Sequence, residues 1–320
     1  MLINAADAQA HSDCGGTAAV HPIPIVTIGM PVYNGERFVR QAIESVLAQT
    51  FADFELLISD NASTDGTANI CSELAVRDAR IRLVRQSANI GAFRNFRHVT
   101  DHAAAPLLVW LAHDDVLDSG YTERCVQQMR SNDRSVLVSS DFLIIDEGGN
   151  AIGTEYLTNI RADIPWHVRR TEFFKFPLYS NTFFCFYGMM RTDACRQLFD
   201  QLSEPKYLSQ SELPFLVRLA TAGEICSFPG ALRSYRRVST SVYHTEQKLL
   251  LRKRSLERLA IQARHFFGLI ADQISVLLRS SFPARTKVGI LLRLVYYYGV
   301  ECVVRLVKGR PPTNIGGSAE

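Results

Sequence analysis

The chain has 320 residues, 47% of them hydrophobic and 21% charged, the balance of a globular protein with one large domain or two modest ones. A net charge of +3 argues against a general nucleic-acid binder. Seven cysteines lie scattered with no CxxC pair, so reduced thiols in a cytoplasmic protein are expected rather than a disulfide frame.

The opening "MLINAADAQAHSDCGGTAAVHPIP" has no basic region leading into an apolar core, so residues 1–23 read as a flexible tail and not a secretory signal. "IVTIGM" (25–30) is a β-branched apolar run and predicts a buried strand, with "PVYNGE" as the turn after it. Apolar residues at helical spacing predict a helix over 36–48. A second strand, "FELLIS" (54–59), ends on Asp60, and "NASTDGT" supplies turn residues before a helix reaching about 76. "IRLVRQ" (81–86) is a third strand, and "NIGAFRNFRHVTDHA" a loop and helix. "PLLVWLA" (106–112) is a fourth strand, "SGYTERCVQQMRS" a helix and "SVLVSSDFLII" (135–145) a fifth strand. Strands alternating with helices predict a mainly parallel sheet covered on both faces, with ligands beyond the carboxyl ends of the strands. Asp60 and the pair Asp114-Asp115 both fall on that edge.

Beyond residue 150 the periodicity blurs. "FFCFYGMMR" (183–191) reads as a strand, 213–223 as a helix and "EICSFPGALRSYRR" as a strand and a return. Long helices are expected over 246–278 and 285–307, separated at Pro283. No apolar run reaches the ~20 residues of a membrane span.

Two adjacent carboxylates at the end of an apolar strand repel each other and lose hydration. A hard divalent cation, Mg²⁺ or Mn²⁺, offsets that repulsion and leaves coordination positions for phosphate oxygens. The alternative is that Asp115 only caps the next helix. Neither G-x-x-x-x-G-K-[ST] nor G-x-G-x-x-G is present, which sets aside a P-loop kinase and a typical dinucleotide dehydrogenase. His113 beside the acids is either a ligand or a satisfied loop histidine. Arg236 and Arg237 either meet a diphosphate or end a solvated strand.

The ordered series "PVYNGERFVRQAIESVLAQTFADFELLISDNASTDGT", "NIGAFRNF" and "WLAHDD" resembles the family 2 glycosyltransferases over about residues 25–120, and more weakly to about 241. The resemblance implies a GT-A fold: a nucleotide-binding half (24–120) and an acceptor half (121–243) around one sheet. A helical region (244–310) and a flexible tail (311–320) would follow. It further implies that Pro31 and Tyr33 flank the nucleotide base. Asn34 and Asn61 would lie in the same nucleotide-sugar site, and Asp60 would hydrogen-bond base or ribose. Arg94 would sit near the donor sugar, and Asp114 and Asp115 would serve metal and diphosphate. Many members carry a further acid where this chain has Ala112, which leaves fewer metal ligands. Members also carry Glu-Asp at a helix start with Arg six residues beyond the Asp. Here Glu212 stands six residues before Arg218 and becomes the expected general base, since inverting transfer needs a carboxylate on the acceptor side. A first-turn Glu that favours the helix dipole is the other reading.

The region 248–310 interleaves thirteen Lys and Arg with Leu, Ile, Val, Tyr and Phe, the pattern of a basic amphipathic surface. Peripheral contact with the inner face of the plasma membrane is expected, with packing on the domain or on a second subunit, a homo-oligomer, as the alternative. The reaction expected is sugar transfer from a nucleotide-diphosphate donor to a saccharide or lipid-linked saccharide, in cell-surface polysaccharide synthesis. A sugar-phosphate nucleotidyltransferase and a non-catalytic nucleotide-sugar-binding protein are the competing classes. The first would show a Gly-rich basic N-terminal loop. The second would bind nucleotide sugars without hydrolysing them.

Overall fold

The computed structural model describes residues 23–174, 182–202, 212–238 and 255–296. In chain order the elements are β1 (Val26–Val32), α1 (Val39–Leu47), β2 (Phe54–Asp60), α2 (Thr67–Arg77), β3 (Ile81–Arg85), α3 (Ala92–His102), β4 (Leu107–Trp110), β5 (Val116–Leu117) and α4 (Tyr121–Ser131). There follow β6 (Ser135–Ile145), β7 (Ala151–Glu155), α5 (Trp166–Arg169), β8 (Met189–Arg191), α6 (Thr192–Gln201), α7 (Glu212–Ala222), β9 (Glu224–Arg236), α8 (Ser255–Arg279) and α9 (Ala284–Val295).

One sheet runs β3-β2-β1-β4-β8-β6-β9-β5, with β7 paired to β6. The half formed by β1 to β4 is parallel throughout. Beyond it the sheet is mixed: β8 is antiparallel to both β4 and β6, while β6 and β9 run parallel. The continuous apolar runs of β1 and β4 follow from cover on both faces. On β4, Leu107 and Val109 point into one core with α1 and α4, while Leu108 and Trp110 point into a second core with α3, α6 and α7. Gly29 lets α3 lie close across β1, because a Cβ there would stand 2.2 Å from Val99 Cγ1.

The first five expected strands and their helices are present, with ends within a few residues. Two expectations change. Residues 183–191 are not one strand: Thr182–Tyr187 is a 3₁₀ turn that buries Phe184, Cys185 and Phe186, and only Met189–Arg191 pairs. The segment after 224 does not return. It is one 13-residue strand that bends at Pro229-Gly230, where Gly230 takes φ 109° and the register with β6 slips. The short strands β5 and β7 and the helix α6 were not anticipated. Both expected C-terminal helices are present over Ser255–Arg279 and Ala284–Val295. Their outer parts, the 1–22 tail, the 311–320 tail and the boundaries at 243 and 310 lie outside the described residues. The five described cysteines are free and buried. No helix among the described residues is long and apolar enough to cross a membrane.

Candidate active site

β1, β2 and β4 end side by side, with Val32 opposite Asp60 and Gly29 opposite Trp110. The turns after β1 and β2 are tied together. Asn34 adopts φ 51°, a conformation Asn tolerates, and its Oδ1 accepts from the Thr64 amide at 2.9 Å. The Asn34 amide donates to Ser63 Oγ and the Gly35 amide to Thr67 Oγ1. Tyr33 projects from this clasp, 43% exposed, beside half-buried Pro31. Asp60 is fully buried, and its Oδ1 accepts from the Ser63 amide at 3.0 Å. Its Oδ2 accepts no hydrogen bond, although Arg85 Nε lies 3.3 Å away. Asn61 is committed to the fold: its Nδ2 donates to Asn89 and its Oδ1 accepts from the Ile90 amide. It positions the loop that leads into α3. In α3 the Arg-Asn pair divides its work. Asn95 is buried against Ser59, and Arg94 stands exposed on the first turn.

The paired acids also part company. Asp115 is 1% exposed, and both of its oxygens accept from protein donors: Oδ2 from Arg233 Nη2 at 3.1 Å and Oδ1 from the Arg236 amide at 3.0 Å. Arg233 is fully buried, donates to the carbonyls of Trp110 and Tyr187, and lies against the Tyr187 ring. Burial pushes the Asp115 carboxyl up to about 6, with Arg233 opposing and Asp114 assisting. Asp114 is half-buried, and its carboxylate accepts no hydrogen bond from another of the described residues. Burial raises its pKa too, against the charges of Arg236 and Arg233. Arg236 does not offer itself to a diphosphate. It is 3% exposed and donates to the Asp114 carbonyl, to the turn carbonyls of Asp146 and Glu147, and to Gln41. Arg237 is the exposed member of that pair. His113 packs on Gly35, whose missing Cβ would stand 2.5 Å from its ring, and burial lowers its pKa.

Glu212 opens α7 and lines an opening of about 410 Å³ with Phe93, Phe96, Phe186, Tyr187 and Phe215. The Tyr187 hydroxyl feels the charges of both Glu212 and Asp115, and Tyr235 those of Asp115, Asp114 and Glu212. Together with burial these charges hold both phenols above their ordinary value. Arg218 turns away from the site and forks onto Asp272 of α8 at 2.7 and 2.5 Å. Asp141 is buried in a bidentate pair with Arg161 at 2.7 Å and is spent on structure. Sequence reasoning missed Arg233. Its one signal was an arginine among the apolar and small residues of the strand "GALRSYR", which when buried needs an acid as partner.

Among the described residues no three His, Cys, Asp or Glu gather as a metal cage. Mg²⁺ and Mn²⁺ need no such cage, since one or two carboxylates with substrate phosphates suffice. The open carboxylate of Asp114 fits that mode. Asp115, expected as a second ligand, is instead committed to Arg233.

An α/β sheet whose parallel half carries acids on its carboxyl edge, with a helix-borne carboxylate whose charge reaches the same tyrosine as theirs, suits an enzyme that works on nucleotide-linked groups. The family model described as Glycosyl transferase family 2 matches residues 27–199, more than half of the 320-residue chain, and the chain belongs to that family. It is therefore a glycosyltransferase, which sets aside the nucleotidyltransferase reading. A glycosyltransferase of Haemophilus influenzae, itself uncharacterized, is 23% identical over 237 residues, 72% of each chain. Three further relatives are matched over less than half of their own length. Among solved structures, S. aureus TarS 1–349 in complex with UDP-GlcNAc aligns with a TM-score of 0.66 at 14% identity, covering 86% of this chain and 73% of that one. The mannosyltransferase PcManGT from Pyrobaculum calidifontis, in complex with GDP-Man and Mn²⁺, aligns at 0.50 and 14% identity, covering 88% and 81%. These two likenesses bear out the GT-A fold.

Proposed function

We propose that the protein transfers a sugar from a nucleoside-diphosphate donor to a saccharide or lipid-linked saccharide acceptor, with inversion, in the assembly of a cell-surface polysaccharide. The observation that supports this reading most is that the charges of Glu212, Asp114 and Asp115 all reach Tyr235, while Glu212 lines the opening beside Tyr187. In this reading Glu212 takes the proton from the acceptor hydroxyl as its oxygen attacks the anomeric carbon. The bond from that carbon to the phosphate oxygen breaks, and the electron pair leaves with the nucleoside diphosphate. Asp114 would hold a divalent cation, which supplies charge stabilisation to the leaving diphosphate. Arg236, which donates to the Asp114 carbonyl, and Asp115, paired with Arg233, hold the Asp114 backbone in place. Pro31 and Tyr33 border the base, and Asp60 Oδ2, which lacks a donor, meets a base or ribose donor once Arg85 swings aside. Exposed Arg94 faces the donor sugar. The UDP-GlcNAc and GDP-Man complexes of the fold neighbours support UDP- and GDP-sugars as the first donors to try.

The test is a thermal-shift and hydrolysis screen of nucleotide sugars with and without Mn²⁺. The true donor at 100 times its Kd adds ~2.7 kcal/mol of stability. EDTA should remove most of that shift and the hydrolysis. A chain that binds nucleotide sugars with metal but neither hydrolyses nor transfers them would instead be the non-catalytic binding protein.

A further inference from the structure

α9 has two apolar faces. Ile290 and Leu294, each 2% exposed, pack with Phe174, Leu213, Val217 and Leu277. Across the helix, Val288, Leu292 and Val295 recur at i, i+4 and i+7 and stand 55%, 66% and 70% exposed. Tyr296 extends this face at 62%, and Leu278 at the end of α8 is 56% exposed. A helix on the surface of a water-soluble domain turns a polar face outward, and this one does not.

The charges around the face have one sign. From Gln273 to Val300 the sequence holds no Asp or Glu and carries Arg279, Arg285, Lys287 and Arg293. Arg279 and Arg285 are exposed and pair with no acid among the described residues. On the helix Arg285 falls between Leu292 and Tyr296, within the apolar stripe. Lys287 donates to the Leu278 carbonyl and Arg293 to Thr171 Oγ1. Apolar side chains flanked by unpaired cations suit a surface that is oily beneath and anionic on top.

This face is coupled to the candidate active site through one helix. α7 presents Glu212 and Phe215 to the aromatic opening and Leu213 and Val217 to the cluster with α9. Its Arg218 grips Asp272 of α8.

We infer that the Val288–Leu292–Val295 face of α9 lies on an anionic bilayer, which holds α7 one helix layer from the lipid. A lipid-linked acceptor would then reach the Glu212 opening by diffusion in the membrane plane. That last step rests on the proposed function, whereas the lipid-binding face stands without it.

The test is flotation of the full chain with phosphatidylglycerol/phosphatidylcholine vesicles and with phosphatidylcholine vesicles alone. The parent should bind the anionic vesicles, and more weakly as salt rises. Leu292→Glu with Val295→Glu should lower the apparent affinity at least ~10-fold. Arg279→Glu with Arg285→Glu should lower it and flatten the salt dependence. Val76→Glu, on the exposed face of α2, should leave binding unchanged. All variants should keep the parental melting temperature and soluble nucleotide-sugar hydrolysis. The inference is overturned if Leu292→Glu/Val295→Glu binds vesicles as the parent does. It is also overturned if the parent ignores anionic vesicles and forms a dimer that this double variant dissolves, since the face would then belong to a second copy. Vesicle binding by a protein that hydrolyses no nucleotide sugar would refute the proposed function and leave this face standing.

Discussion

Three carboxylates of the candidate site do different work, and substitution separates them. Glu212 stands at the start of α7 and lines the opening. Glu212→Gln should keep the melting temperature and donor affinity and lower kcat ~10²–10⁴-fold, the usual worth of a general base, or roughly 3–5 kcal/mol of barrier. Near-parental turnover at saturating acceptor would place the base elsewhere. The Asp114 carboxylate accepts from no other described residue, so Asp114→Asn should spare stability and weaken Mn²⁺-dependent donor binding, read by calorimetry with and without metal. Asp115 is the opposite case. Its partner Arg233 is fully buried, and Asp115→Asn leaves that guanidinium uncompensated. Breaking a pair of this kind costs about 3–5 kcal/mol, so this variant should melt early whether or not donor is present. Equal melting temperatures for the two Asn variants would refute the division.

At the scale of elements, glycine sets two approaches that the site depends on. Gly35 lets the His113 ring rest on the β1 turn, which keeps the segment leading to Asp114 close to the Asn34 clasp. Gly29 lets α3, which carries Arg94, lie against β1. Gly29→Ala would drive a methyl group into Val99 in a packed core. Overpacking of this kind typically costs 1–3 kcal/mol, measurable as a lower midpoint in urea. Moving α3 should also raise the donor KM. A stability loss with an unchanged KM would mean that β1 yields and α3 stays. The elements legible in the sequence were those with a strong period, β1 to β4 with their helices, because burial on both faces makes an uninterrupted apolar run. The 182–187 turn was misread because Phe-Phe-Cys-Phe is apolar at any period. Its backbone conformation follows from packing on Trp110 and Phe215.

At the scale of the molecule, the C-terminal helices share a core with the transferase domain. Leu277 of α8 is fully buried among Leu213, Val217, Ile290 and Leu294. Leu277→Ala should cost ~2–5 kcal/mol in global unfolding if the helices and the sheet melt as one unit. A calorimetric trace in which only a minor early transition moves would show the helices to be a separate cooperative unit. The Arg218–Asp272 fork ties the same helices to α7. The helix that carries the proposed base is thereby braced from behind by the region that faces lipid in the inference above.

The sequence by itself determined the family, the parallel half of the sheet and the strand ends on which Asp60, Asp114 and Asp115 stand. Local patterning and turn chemistry carry that information over short spans of chain. Tertiary structure alone decided what each carboxylate faces. Asp115 meets Arg233 across 118 residues, and Asp141, at a β-bulge in β6, meets Arg161. The charges of Glu212 and Asp114 both reach Tyr235 only because β8, β6 and β9 complete the sheet next to β4. Whether a carboxylate is open to a ligand or held by an arginine depends on which distant strand lies beside it, and the spacing of residues along one chain does not carry that fact.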